Sequence, residues 1–203
     1  MTCIVAVVEN GVPYFAGDSL VVNLPGAYYA KANQTVRREP KIFQKNGMFF
    51  GYNGSVRMGQ LLRYIFEPPA YTPGQDKVRY LVTRFIKDLQ ACFGQAKFEQ
   101  ESLEGGILLA IEGELFTISQ EFGVCNTANA YEAIGQGAEP ALGSLHTTAQ
   151  LGLPPRERLH LALKAAEHHT CVVNAPFTYL TTEMDQAELL LPAPIPSLSV
   201  TCP

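Results

Sequence analysis

Short β-branched runs and helical stripes alternate along this chain in groups, and that grouping restricts the fold more than any single motif. Residues 3–9 are an apolar, β-branched run; Glu9-Asn10-Gly11 turns the chain, and residues 12–16 read as the hairpin partner. Residues 24–40 read as irregular, after which 41–45 and 48–52 flank Asn46-Gly47, a strong hairpin signal. Ser55 is placed to cap a helix carrying Leu61, Leu62, Ile65 and Phe66, which Pro68-Pro69 stops. Asp76 opens a second helix whose apolar stripe runs Val78, Leu81, Val82, Phe85, Ile86, Leu89, Phe93, the spacing of a helix laid on a sheet. Strands resume at 107–111 and 115–119 around Glu112-Gly113, and at 131–134, closed by Gly135 and Gly137. Helices at about 139–150 and 155–168 follow, the second starting at a proline, and strands at 171–173 and 177–180 end the pattern. Strands, two helices, strands, two helices, strands is the order of an α+β protein whose helix layers cover sheets that pack on each other.

The chain has 203 residues, 47% of them hydrophobic and 17% charged, enough for a sizeable core and within the size of one layered domain. We therefore expect one domain over residues 1–191, followed by a Pro-rich tail, 192–203, in extended conformation. A net charge of −4 offers no electrostatic case for nucleic acid or an anionic membrane. No apolar run reaches the ~20 residues of a membrane helix, and the first one lacks the basic start of a secretory signal. Five cysteines, odd in number and without metal-type spacing, suit a reducing cytoplasm. His168-His169 lacks a completing Cys or Asp, so neither metal nor cofactor is expected.

Removal of Met1 would expose Thr2. An N-terminal threonine carries a hydroxyl nucleophile and a free amine on one residue, and an α-amine titrates near ~8, so part of it is a ready base at neutral pH. Cys3, next along a strand, faces the opposite side and reads as core.

Thr2-Cys3-Ile4-Val5-Ala6-Val7, Ala16-Gly17-Asp18, Pro40-Lys41-Ile42-Phe43 and Gly51-Tyr52-Asn53-Gly54-Ser55 occur in this order. Over roughly residues 2–182 the chain resembles proteasome β-type subunits and the simpler bacterial peptidases of that group, all N-terminal-nucleophile (Ntn) hydrolases. The resemblance implies a four-layer αββα sandwich and cleavage of peptide or protein substrates without a cofactor. It also implies homo-oligomeric rings or stacks, and a possible separate ATPase as unfoldase. It makes Thr2 the nucleophile, Asp18 the carboxylate that orients a lysine, and Lys41 that lysine, with Lys31 and Lys45 as rival alignments. Gly54 becomes the oxyanion donor. Each residue also has a plain reading: a small second residue that merely permits Met removal, a turn aspartate, a solvated lysine, the glycine of a strand-to-helix turn.

Two departures stand out. The family's serine between two glycines is Gln136 here, and its second acidic residue should fall near Glu167-His168-His169-Thr170. Those changes leave two rivals to a peptidase: a catalytically inactive assembly subunit, and an Ntn amidase acting on a small acylated metabolite. Tyr28-Tyr29 and Arg37-Arg38 could line a substrate pocket, contact a subunit, or simply be a surface loop.

Overall fold

The structure, a computed structural model, describes residues 2–22, 34–97, 103, 105–184 and 188–190. The proposed tail at 192–203, Met1, Tyr28-Tyr29 and Lys31 lie outside the described residues.

Two five-stranded sheets form the centre. The first has the order β10-β1-β2-β11-β12, built from Tyr131–Gly135, Cys3–Glu9, Val12–Asp18, Phe177–Thr181 and Glu188–Leu190. The second runs β5-β6-β7-β8-β9, from Ile42–Lys45, Met48–Gly54, Gly105–Ile111, Glu114–Ile118 and Val124–Asn126. Neighbouring strands are antiparallel throughout both. Positive φ at Asn10-Gly11, Asn46-Gly47 and Glu112-Gly113 closes three two-residue hairpins whose twist matches their strands.

Period-two alternation gives the central strands β1, β2, β6 and β7 two buried faces. Ile4, Ala6, Phe15, Ile42, Phe49, Leu108 and Leu115 meet between the sheets. Cys3, Val5, Val7 and Ala16 point the other way, onto Leu145 of α4 (Ala138–Gln150) and Leu159, Ala162, Leu163 and Ala166 of α5 (Pro155–His169). On the far side, Phe50, Ile107, Leu109 and Phe116 carry α1 (Val56–Gln60), α2 (Lys77–Tyr80) and α3 (Ile86–Gln95). Wide π-type turns, Leu61–Ile65 and Leu81–Phe85, extend α1 and join α2 to α3. Phe66 meets Phe85 edge-on there, at 5.1 Å between centroids, and each such phenylalanine buried stabilises the layer by about 1.5–3 kcal/mol. The layers are helix, sheet, sheet, helix: the four-layer αββα sandwich.

The local readings differ from this in four places. Residues 24–40 contain β4 (Gln34–Val36), which pairs with β3 (Leu20–Val22); a three-residue strand far from its partner in sequence carries no pattern of its own. β9 and β12, also three residues each, were invisible for the same reason. Val78 and Val82 are exposed, and Tyr80 is buried instead, because the π-type turn rotates the stripe out of the 3.6-residue register. Residues 171–173 are not a strand: the segment leaves α5 as a loop, where the Glu167 carboxylate accepts the Ala175 N–H at 2.9 Å.

Candidate active site

β1 and β2 lie side by side, with Ile4 opposite Gly17, so the start of one and the end of the other meet at one rim of the first sheet. There Asp18 is fully buried and its carboxylate accepts four hydrogen bonds. Oδ1 takes the Cys3 N–H at 2.9 Å and Oδ2 the Leu20 N–H at 3.0 Å. Lys41 Nζ donates to both oxygens at 3.0 Å, and to the Leu20 carbonyl at 2.6 Å. Lys41 is only 3% exposed; it arrives from the second sheet, one residue before β5. A carboxylate and an ammonium this deeply buried are tolerable only because each satisfies the other and backbone groups fill the remaining valences.

Burial pulls Lys41 below the ordinary lysine range, Asp18 opposes that pull, and the charge of Arg37 adds to the lowering. Burial likewise pushes Asp18 up, against Lys41 and the two backbone N–H donors. Burial, then the Asp18 charge, drives the Cys3 thiol far up, so it is a neutral core group rather than a nucleophile.

Thr2 is 2% exposed and one peptide bond from the Asp18–Lys41 pair, since it is the Cys3 N–H that Asp18 accepts. Its carbonyl accepts the Gly137 N–H at 3.3 Å. A Cβ at Gly135, whose φ is +97°, would stand 2.2 Å from that carbonyl oxygen, so only glycine admits this approach. The same Cβ would lie 3.5 Å from Cβ of Asn53, which brings the end of β6 to Thr2. Gly54 is the last residue of β6, with φ +105°, and Ser55 caps α1 by accepting the Arg57 and Met58 N–H groups.

The structure thus joins Asp18 and Lys41 as a bonded pair at the peptide that follows Thr2, and brings Asn53, the residue before Gly54, near the Thr2 carbonyl. Lys45 is excluded: it bonds the Arg63 and Phe66 carbonyls and pairs with Glu67. Gln136 is exposed. Glu167 pairs with Lys164 besides bonding Ala175, Thr170 donates to the Ala166 carbonyl at 2.8 Å, and His168 and His169 are exposed at the end of α5. Two neighbours were not legible beforehand. The Leu20 carbonyl is a backbone group with no residue signature, and Tyr52, whose N–H donates to the Lys41 carbonyl at 3.1 Å, reads as strand core.

Neither known family profiles nor curated protein sequences match the chain. Solved structures do. BPH of Thiobacillus denitrificans, in complex with epoxomicin, superimposes with TM-score 0.70 at 19% identity, covering 88% of this chain and 97% of that one. Eukaryotic HslV of Trypanosoma brucei gives 0.63 at 14% identity, over 88% and 98%. Anbu, the ancestral β-subunit, of Yersinia bercovieri gives 0.59 at 15%, over 88% and 80%. These are proteasome-type Ntn hydrolases, and this chain has their fold.

Proposed function

We propose that this protein is a proteasome-like threonine peptidase that cleaves peptide amide bonds through Thr2 after Met1 is removed. The observation that carries the reading is the buried Asp18–Lys41 pair fastened to the peptide N–H directly after Thr2. Thr2 Oγ1 attacks the substrate carbonyl while the Thr2 amine accepts the hydroxyl proton. The Lys41 charge favours the deprotonated form of both groups. The Gly54 N–H stabilises the oxyanion, a contact worth on the order of 3 kcal/mol. The amine passes its proton to the leaving nitrogen, the C–N bond breaks, and a threonyl ester remains. Water, deprotonated by the same amine, hydrolyses that ester and regenerates Thr2. The substrate is peptide or protein, delivered to a homo-oligomeric ring or stack in the cytoplasm, and a separate ATPase could feed it.

An inactive assembly subunit is the second reading, favoured by Gln136 and by the engagement of Glu167 with Lys164 and Ala175. Intact mass before and after incubation with a peptide epoxyketone separates the two. Loss of Met1 with a one-to-one adduct, absent in Thr2→Ala, supports the peptidase. Retained Met1 and no adduct would leave the assembly role.

A further inference from the structure

The protein carries a net charge of −4, yet cations crowd the rim of this site. Asp18 and Lys41 cancel each other, which leaves Arg37, whose charge acts on Lys41, and Arg63, which bonds the carbonyls on either side of Lys41. Arg37 forms an ion pair with Glu39, Nη2 to Oε2 at 2.8 Å.

Arg37 is anchored on three sides. Its backbone N–H donates to the Ser19 carbonyl at 2.8 Å, next to Asp18. Its Nη1 donates to the Tyr52 hydroxyl at 3.1 Å, and Tyr52 is bonded through its own N–H to Lys41. The Tyr52 ring fills the space over Gly59 of α1, where a Cβ would stand 1.9 Å from Tyr52 Cζ. The guanidinium therefore sits at the Tyr52 hydroxyl, by the end of the Tyr52 ring that packs on α1. It is near enough for its charge to add to burial in depressing Lys41, and to act on Arg63 as well.

The two arginines are used differently. Arg63 donates to the Pro40 and Ile42 carbonyls and lies 4.6 Å from the centroid of the Phe43 ring, so it braces the strand that presents Lys41. Arg37 gives its outer nitrogen to Glu39, whose side chain is 49% exposed against 12% for Arg37. An ion pair with so exposed a carboxylate is worth little, so an exchange of one carboxylate for another costs little. A guanidinium fork already fixed by Tyr52 binds an incoming carboxylate with small further loss of freedom.

We propose that Arg37, held by Tyr52 and covered by Glu39, is a carboxylate-binding subsite, and that the preferred substrates are peptides with an acidic side chain next to the scissile bond. Glu39 acts as an internal placeholder that swings into solvent when such a substrate binds. This inference rests on the peptidase reading above.

The test uses the full chain with Met1 removed and three labelled peptides that differ only in carrying Glu, Leu or Lys before the cleaved bond. The expected order of kcat/KM is Glu, Leu, Lys, with about a tenfold or larger ratio of Glu to Lys, the size of effect a charged hydrogen-bonded pair gives. Arg37→Gln should bring that ratio toward one, Arg37→Lys should leave it intermediate, and Glu39→Gln, a change at an exposed position, should raise it. Added sodium chloride should shrink it by screening. Cleavage of the Leu peptide with equal use of Glu and Lys, or a preference that survives Arg37→Gln, would overturn the subsite and spare the peptidase reading. Failure of all three peptides would remove both.

Discussion

At the residue scale the chemistry depends on one buried ion pair. Lys41 and Asp18 reach each other across 23 residues and two sheets, and each is nearly or wholly excluded from water. Removing one partner leaves the other charged, buried and alone, so Lys41→Met should cost about 3–5 kcal/mol in urea unfolding, more than its lost contacts account for. Replacing both, Lys41→Met with Asp18→Leu, should recover much of that stability while still blocking adduct formation with the epoxyketone. A double variant as unstable as the single one would mean that packing, not the charge, sets the cost. Thr2→Ser should keep the adduct that Thr2→Ala loses, because the hydroxyl and the amine both remain; intact mass reads both variants.

At the element scale, the helix layer over the second sheet is fastened by polar groups as well as by phenylalanines. Tyr80, at the end of α2, donates to the Pro69 carbonyl at 2.6 Å. Burial pushes its phenol up to about 12, against a pull from Arg84. The folded value is thus above the unfolded one near ~10, and the folded state holds the proton more tightly. That contribution is complete below about pH 10 and is lost as pH climbs through about 12. Tyr80→Phe should therefore cost about 1 kcal/mol at neutral pH, with the deficit shrinking toward pH 12 in urea titrations. Gly59→Ala belongs to the same layer. The added methyl would enter the Tyr52 ring, so overpacking of about 1–3 kcal/mol is expected, read as a lowered urea midpoint.

At the scale of the whole molecule, the outer helix layers are not equally dressed. Tyr64 and Ile65 are 59% and 58% exposed, and Val82 is 54% exposed, all in the α1–α3 layer. Leu151 and Leu161 are exposed on the α4–α5 layer too, but the α1–α3 layer carries more such side chains, and large exposed apolar groups are what a protein–protein contact uses. We expect the chain to self-associate through this face. Sedimentation of the wild type should show a defined oligomer, and Ile65→Glu with Val82→Glu should shift it toward monomer without lowering the urea midpoint. An oligomer unchanged by both substitutions would place the contact elsewhere.

Sequence by itself determined the local and the periodic. Asn-Gly pairs set hairpins because few other residues take positive φ cheaply, and β-branched runs and helical stripes set the order of layers. The ordered set Thr2, Asp18, Lys41 and Gly54 was legible through a family resemblance, as candidates rather than as a geometry. Only the tertiary structure decided which lysine meets Asp18. Lys41 and Lys45 lie four residues apart on the same stretch of chain, and it is strand register that sends one to the carboxylate and the other to a helix end. It also decided that Glu167 braces a loop, that a π-type turn exposes Val78 and Val82, and that Arg37 lies on Tyr52. Each of these is a contact between segments far apart in the chain, or a shift of phase within a helix. Local propensity carries no information about either, because their energy resides in the partner that folding supplies.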